Sequence, residues 1–482
     1  MAGKFQGKIL VLGGGSVSQC SVPLFIKHIV ADPNQITILD FQDTSSKFSE
    51  AIQSGVRFVI DKITQDNLST KLAEFVSAGD VLVDLAWNID ANVIIGWCHD
   101  NDVLYMNTSV EEWDPYDSQD NRDPRDRTLL VRHQRLDAMK ATWKTVGPTA
   151  VVEHGANPGL VSHLVKRGLL EIADACLTQN LFDGEIRTKI ENAKAAEDFA
   201  TLSHLLGVKV IHISERDTQV SDKPKLPGEF VNTWSVAGLH EEGIAPAELG
   251  WGTHEKKMPA RGYRHETSET QICLAQPGAT TWVKSWVPNY EINGMVVRHG
   301  EAYTITKHLT VKDDSGKEIY RPTVHYAYCP SDAAIASLRE LQANSWEFPT
   351  RERIMNDEII DGEDRLGVLI MGHPLNAWWV GSLLSIHEAR ELVAHQSATT
   401  LQVAVSVMAA VQWMIDNPKQ GLCVPDDLPW RTILDLSYPY LGTIYSASVD
   451  WTPLKNDSNL FGKWDGVEKS DDPWQFENFL LD

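Results

Sequence analysis

The stretch that most constrains the fold lies near the start of the chain, where an apolar run ends in consecutive glycines. Residues 8–12 (KILVL) are predicted to form a strand, and Gly13, Gly14 and Gly15 follow it directly. A mostly apolar stretch over 17–30 comes next and is typical of a helix. A strand that turns on glycines into a helix is the usual first unit of a parallel α/β sheet.

The next hundred residues continue this alternation of short strands and helices. Right-handed crossovers between such strands give a doubly wound parallel sheet, so the predicted fold class of the first domain is α/β. The predicted elements are strands at 35–39, 56–60, 80–85 and 103–106, and a helix at 67–76.

The glycine segment follows the pattern G-x-G-x-x-G, with Ser18 at the place of the third glycine. Gly13 allows the tight turn, and Gly15 lets the backbone approach a pyrophosphate at the start of the helix. Ser16 and Val17 open that helix and are predicted to bind the cofactor with these glycines. A glycine triplet alone is equally typical of a plain turn, but its place between a first strand and a helix favours a Rossmann-type dinucleotide site.

An acid at the end of the second predicted strand supports the same interpretation. Asp40 follows Gly15 by 25 residues, a spacing at which a carboxylate binds the adenosine ribose hydroxyls. A carboxylate there would repel a 2′-phosphate, so the predicted cofactor is NAD rather than NADP.

The pattern changes after residue 151, with longer loops and more tryptophan. We therefore predict an NAD-binding domain over 1–153, an α+β substrate and dimerisation domain over 154–384, and a C-terminal helical segment over 385–482 that returns to the first domain. Within the last two regions we expect helices at 155–168 and 382–417, and strands at 295–298 and 303–311.

Composition excludes several classes of protein. The 482 residues include 43 Lys and Arg against 66 Asp and Glu, a net charge of −23, with 43% hydrophobic residues. Such a chain folds but is a poor partner for nucleic acid or for an anionic membrane. An acidic surface could also gather small cations, although solubility alone explains it.

The cysteines and apolar stretches predict a cytoplasmic protein. The six cysteines contain no CxxC pair and no zinc spacing, so we predict no metal site and no disulfide framework. The N-terminus lacks the pattern of a signal peptide. Charge-free stretches at 366–386 and 396–415 contain glycine, proline or glutamine, which favours buried core over a membrane span.

Acids, aromatic residues and glycines or prolines are combined in four stretches, at 107–113, 153–161, 214–219 and 230–251. Trp234 and Trp251 are both explained by core packing, but an indole beside carboxylates can also bind an ammonium group. Glu111 is either a ligand-binding acid or a solvated loop acid. Asn157 either binds a ligand or caps a helix.

Nine motifs together carry a resemblance to a known family. The chain is similar, over essentially its whole length, to bacterial homospermidine synthases, and more distantly to the saccharopine dehydrogenase and carboxynorspermidine synthase group. The motifs are GGGSVSQ, VEEW, GANPG, HISERDTQ, FVNTWSV, PAELGWGT, YRPTVHYAY, DGEDRLGVL and SDDPWQF.

The resemblance implies an NAD-dependent reaction that joins two putrescines into homospermidine and releases ammonia, by hydride abstraction, imine exchange and hydride return. It further implies a homodimer, diamine substrates with spermidine as a further candidate, and the following roles. Asn157 would position the nicotinamide and the amine, Trp234 would bind a cation by its π face, and Glu111, Glu215 and Glu242 would hold ammonium groups or relay protons. His299 and Asp361 would line the pocket.

Two alternatives stay open. A saccharopine-type or carboxynorspermidine-type imine reductase would need an arginine clamp for substrate carboxylates, for which Arg216 and Arg261 are candidates. A non-catalytic sensor would bind NAD and polyamine without turnover.

Overall fold

The computed structural model describes residues 4–113, 122–455 and 469–481. Its first part alternates strands and helices in the predicted order. These elements are β1 (Ile9–Leu12), α1 (Ser16–His28), β2 (Ile36–Asp40), α2 (Ser49–Ser54), β3 (Arg57–Ile60), α3 (Leu68–Phe75), β4 (Val81–Asp84), α4 (Ala91–Asp100), β5 (Leu104–Asn107), α5 (Leu129–Thr142) and β6 (Ala150–Val151).

These strands form a parallel sheet with one late addition, β22 (Leu422–Cys423). Among the described residues the sheet has seven strands in the order β22-β6-β5-β4-β1-β2-β3, and every pairing is parallel. Val11 lies opposite Ile38 and Val83, and all three side chains are fully buried. The predicted doubly wound parallel sheet is confirmed, and its reversal of strand order lies beside the glycine turn.

The rest of the chain surrounds a second, mixed sheet. Its elements up to the long central hairpin are α6 (Leu160–Thr178), α7 (Gly184–Ala196), α8 (Phe199–Leu206), β7 (Val210–Asp217), β8 (Val220–Ser221), β9 (Glu229–Asn232), α9 (Val236–Ile244), β10 (Pro246–Gly250), β11 (Gly262–His265), β12 (Ser268–Pro277), β13 (Trp282–Val287), β14 (Tyr290–Met295), α10 (Glu301–His308), β15 (Val311–Lys312), β16 (Glu318–Tyr320), β17 (Thr323–Cys329), α11 (Asp332–Ala343), β18 (Arg351–Ile354) and β19 (Ile359–Asp361). The hairpin and the C-terminal elements are β20 (Glu363–His373), β21 (Asn376–Ser385), α12 (Ile386–Leu392), α13 (Ala398–Asp416), β22, α14 (Trp430–Ser437), β23 (Thr443–Val449) and α15 (Phe476–Phe479).

Within the described residues the second sheet has ten strands, with the main order β11-β12-β10-β17-β7-β20-β21-β23. β7 is parallel to β17 and antiparallel to β20, so it lies at the centre of the sheet. The predicted α+β character of this part is confirmed.

The segment predicted as a strand over 303–311 is mostly helical, because α10 spans Glu301–His308. Its threonines suit strands, but the Thr306 hydroxyl donates to the Ala302 carbonyl at 2.7 Å inside the helix. The strand predicted at 295–298 ends at Met295 in β14. α6 begins at Leu160 rather than 155, and residues 382–385 belong to β21.

The region 385–482 contacts both sheets. Helix α13 packs against α1, and β22 pairs with β6, whereas β23 pairs with β21. By length and composition α13 could cross a membrane. However, 78% of its apolar 18-residue stretch is buried inside the protein, as expected of a core helix.

Candidate active site

The turn between β1 and α1 has the geometry of a phosphate-binding loop. Gly13 has a φ of +88°, and a Cβ there would lie 2.7 Å from the carbonyl oxygen of Leu85, so only glycine fits. Apart from its chain neighbours, no atom of the described residues lies within 4 Å of a Cβ built on Gly15, which leaves open space in front of the N-terminus of α1. Ser18 is fully buried, and its hydroxyl donates to the Gly13 carbonyl at 2.5 Å, so the serine preserves the tight packing of helix on strand.

Asp40 lies at the end of β2 beside this turn. Its carboxylate accepts the backbone N–H of Gly14 at 2.5 Å and that of Gln42 at 2.7 Å. Asp40 lines a cavity together with Gly13, Gly15 and Phe41, whose ring is 58% exposed. The open glycine, the helix N-terminus and the fixed acid fit the pyrophosphate and adenosine of a dinucleotide.

A second cavity continues from the first at the carboxyl ends of β4 and β5. The two share Leu85, Ala86, Trp87 and Ser235, so they form one groove. The second cavity gathers predicted site residues from six separate stretches of sequence: Val17, Glu111, Asn157, Glu215, Trp234, Glu242 and His299.

Asn157 and Glu215 meet in this cavity. The Asn157 amide donates to Glu215 Oε2 at 2.7 Å, and the Tyr326 hydroxyl donates to the same oxygen. Burial raises the pKa of Glu215 to about 7, although both hydrogen bonds act to lower it. Glu215 can therefore change its protonation state near neutral pH.

His299 lies between two acids. Its Nε2 is 3.1 Å from Glu242 Oε1, and its Nδ1 is 3.2 Å from Glu301 Oε1. Burial acts to lower the pKa of His299, but the two carboxylates outweigh burial and raise it well above the usual value. Glu242 Oε2 is buried and has no hydrogen-bond partner among the described residues.

Trp234 forms one wall of the cavity. Its indole N–H donates to the Tyr328 hydroxyl at 2.9 Å, which fixes the ring. A Cβ on Gly238 would lie 2.6 Å from Trp234 Cζ3, so the glycine in α9 makes room for the indole. Trp251, by contrast, is 2% exposed and belongs to the core, as the packing interpretation predicted.

Glu111 follows β5 and also lines the cavity. Its Oε1 accepts the Ser109 hydroxyl at 2.7 Å, while its Oε2 is buried without a hydrogen-bond partner in the described part of the chain. Burial, and then the charge of Glu241, raise the pKa of Glu111 to about 8. Glu241 itself is buried between Arg132 and Arg298.

Asp361 does not lie in the cavity, and its predicted role as a pocket residue is wrong. Its side chain is 80% exposed on β19, and its nearest ionic partner is His387, at 3.9 Å. The buried acid of this segment is Asp364, which lies opposite Asp217 in the pairing of β20 with β7. Asp361 ends β19, which pairs with β8 in a separate two-stranded sheet, whereas Asp364 belongs to β20 in the ten-stranded sheet.

The arginines considered as a carboxylate clamp also lie elsewhere. Arg216 and Arg261 line a separate cleft beside β13 and β14, and Arg216 is bound to Asp332 at 2.8 Å. The described residues contain no group of three or more His, Cys, Asp or Glu side chains placed to hold a metal ion.

Sequence reasoning missed several cavity residues. Tyr326 lies in the motif YRPTVHYAY, where the alternation of Tyr326 and Tyr328 along a strand could have indicated one shared face. Glu153, Glu241 and Arg298 also line the cavity, and no local pattern separates them from surface charges.

Comparison with known proteins agrees with this geometry. The family model of the saccharopine dehydrogenase NADP binding domain matches residues 9–151, and that of the saccharopine dehydrogenase C-terminal domain matches 155–447. Homospermidine synthases from Blastochloris viridis and Mesorhizobium japonicum are 39% and 38% identical, over 99% of this chain and 98% and 97% of theirs. The chain belongs to the homospermidine synthase family. A crystal structure of the homospermidine synthase from Legionella pneumophila in complex with NAD has a TM-score of 0.87 and 38% identity, and covers 99% of this chain and 98% of that one.

The resemblance to homospermidine synthases predicted from the motifs is thereby confirmed. The first family model is named for NADP, whereas the Legionella homospermidine synthase was solved with NAD. Asp40 in this chain agrees with NAD, because a carboxylate at the end of β2 beside the glycine turn would repel a 2′-phosphate.

Proposed function

We propose that the protein is an NAD-dependent homospermidine synthase, which joins two molecules of putrescine into homospermidine and releases ammonia. One observation carries the proposal: the dinucleotide groove continues into a cavity with an indole wall and with two buried carboxylate oxygens, Glu111 Oε2 and Glu242 Oε2, that have no hydrogen-bond partner among the described residues. A buried acceptor without a donor is costly unless a ligand supplies one, and an ammonium group supplies three donors.

The residues of the groove fit NAD. Gly13, Gly15, Ser16 and Val17 would hold the pyrophosphate at the N-terminus of α1, and Asp40 would bind the ribose. When bound, NAD supplies a hydride acceptor for the carbon beside the reacting amine, and later the hydride donor.

Asn157 and Trp234 would position the substrate. The Asn157 amide is fixed by Glu215, so its carbonyl oxygen is free to accept from an amine or from the nicotinamide carboxamide. Trp234 presents its ring to the cavity and would bind the distal ammonium by a cation–π contact worth about 0.5 to 2 kcal/mol.

The acids would bind the diamine and move its protons. Glu215 and Glu242 line the cavity together with Trp234, and His299 holds Glu242 in place. Glu215 and Glu111, with pKa values raised to about 7 and about 8, could accept a proton from a substrate amine and return it.

The test is product analysis by mass spectrometry after incubation with putrescine and NAD. We expect homospermidine and ammonia in equal amounts, without lasting accumulation of NADH. Steady NADH production in proportion to product would instead indicate an amine dehydrogenase, and binding without exchange between labelled and unlabelled putrescine would indicate a sensor.

The imine reductase alternative loses its specific support. Its substrates carry carboxylates, but both candidate clamp arginines line another cleft, and Arg298, which does line the cavity, is already bound by Glu241. Product formation that requires added NADH and a carbonyl substrate would restore that alternative.

We further infer a cytoplasmic homodimer, formed through the second domain, that acts on small diamines and not on nucleic acid or membranes. The six free cysteines support a cytoplasmic protein, and the net charge of −23 argues against nucleic acid and anionic membranes as partners. We place the domain boundary at 153/154, after the end of β6 at Val151.

A further inference from the structure

A buried ion pair outside the predicted site residues lies at one end of the cavity. His133 on α5 and Glu153, just after β6, are in contact, with His133 Nε2 2.6 Å from Glu153 Oε2. Their side chains are only 4% and 2% exposed, yet Glu153 lines the substrate cavity. Neither residue has a role in the proposed function.

The backbone is strained so that Glu153 can reach this position. Its φ is +56°, a left-handed conformation that costs a residue other than glycine on the order of 1 kcal/mol. Asn107 holds the strained segment, because its side-chain oxygen accepts the Glu153 N–H at 2.7 Å and its carbonyl accepts the His154 N–H at 2.9 Å. Strain that the surroundings maintain in this way is typical of functional sites.

Gly300 leaves space for the Glu153 carboxylate next to His299. A Cβ on Gly300 would lie 1.6 Å from Glu153 Oε2, so only glycine can follow His299 in the chain. Glu153 is therefore packed against the backbone that joins His299 to Glu301. These two residues form a second buried contact between an imidazole and a carboxylate.

The proposed reaction requires the protein to hold protons. The amine whose carbon loses hydride and the amine that attacks must each first lose one proton, so two N–H bonds break and two protons pass to the enzyme. One proton returns to the departing ammonia, which leaves as ammonium, and the other returns to the new secondary amine. Protons balance overall, but two must be held inside a closed cavity while the carbon–nitrogen bond is exchanged.

We propose that Glu153 is a catalytic residue that accepts one of these protons from a substrate amine at its carboxylate and later returns it, and that His133 is the positioning residue that supports it. This inference rests on the proposed function. Glu215 and Glu111 are the other carboxylates proposed to transfer protons, whereas Glu153 lies against the backbone of Gly300, next to His299.

The surroundings of His133 suit this role. It faces Glu153 from the segment after β6, Glu248 from β10, Asp137 from its own helix, and the ring of Tyr303 from α10. Burial acts to lower the pKa of His133, but Glu153 and the other acids outweigh burial and raise it. His133 therefore takes up a proton at a higher pH than an exposed imidazole does, and its protonation state decides whether the pair can accept a further proton.

The first test is Glu153→Gln, which keeps the shape and a hydrogen-bonding group but cannot accept a proton. We expect kcat to fall about 100-fold, the usual size of a general-base contribution, with the KM for putrescine within about threefold. NAD affinity should be unchanged, and kcat is compared at a temperature at which the variant is folded, because breaking a buried ion pair lowers stability. A fall in kcat of less than about tenfold overturns the proposal.

The second test is His133→Gln, which applies even if the first variant does not fold. Activity of the wild type should be lost on the acid side as pH falls through the raised pKa of His133, because a protonated pair cannot accept another proton. We expect this acid limb of kcat to move to lower pH in the variant, and an unmoved limb overturns the proposal. The matched control is His254→Gln, which removes a half-buried imidazole 3.4 Å from Glu255, outside the cavity, and should leave the limb in place.

Failure of the two proposals can be told apart. If the wild type forms homospermidine and Glu153→Gln retains kcat, only the role of Glu153 is rejected. If the wild type forms no homospermidine from putrescine and NAD, both proposals are rejected.

Discussion

Replacement of Trp234 by leucine and by phenylalanine separates the π face of the indole from its other contacts. Both replacements lose the hydrogen bond from the indole N–H to Tyr328, 2.9 Å long in the structure and worth about 1 kcal/mol. Both also leave space beside Gly238, where the indole packs. Only leucine removes the aromatic face, so the difference between the two variants measures the cation–π contact.

A cation–π contact of about 0.5 to 2 kcal/mol corresponds to a difference of about 2-fold to about 30-fold in affinity. Because Trp234 lies in a half-buried wall rather than at the surface, we expect the upper half of that range. Calorimetric titration of putrescine into NAD-free protein gives the affinity without turnover, and kcat/KM for homospermidine formation gives the effect on the reaction. Equal affinities for the leucine and phenylalanine variants would refute the cation–π role, since shape and the lost hydrogen bond affect both alike.

Three further changes test the rest of the groove and cavity. Asp40→Ala should weaken NAD binding by at least tenfold in calorimetry, since it removes a charge-assisted hydrogen bond to the ribose, and an unchanged affinity would reject the assignment. Gly15→Ala places a methyl group in open space, so the thermal midpoint should stay constant while NAD affinity falls; a lower midpoint with unchanged NAD affinity would contradict the open cradle. For Glu215, whose pKa is about 7, the carboxylate binds ammonium only when ionised, so the KM for putrescine should rise as pH falls through about 7. Glu215→Gln should abolish that rise, and a retained rise would show that another group titrates.

The first sheet could be predicted from sequence because its signals are local. An apolar run that ends in Gly13 and Gly14 and an acid at the end of the next run, Asp40, each depend on neighbouring residues alone. The same holds for Ser18, whose small side chain fits the buried contact between α1 and β1. In such a sheet, burial on both faces and the turn geometry determine the structure within a few residues.

The second sheet was harder to predict from sequence, because its strands pair with strands that are distant along the chain. α10 contains threonines that favour strands, and only packing against β10 and β17 decides for the helix. The choice of Asp361 failed for a related reason, because only the pairing of distant strands places Asp361 with β8 and Asp364 with β7. The pair of His133 and Glu153 joins residues 20 positions apart through a strained turn, which no periodic pattern reveals.

The pairing of β22 with β6 has a consequence for how this protein can be divided. Leu422 and Cys423 complete the edge of a sheet whose other strands lie before residue 152. A fragment cut at residue 153 would keep every residue of the glycine turn but would expose the backbone groups of β6, and such unprotected edges promote aggregation. The dinucleotide-binding sheet is therefore continuous in space but not in sequence. A fragment that folds alone and stays soluble would also need the β22 strand, joined so that it pairs with β6.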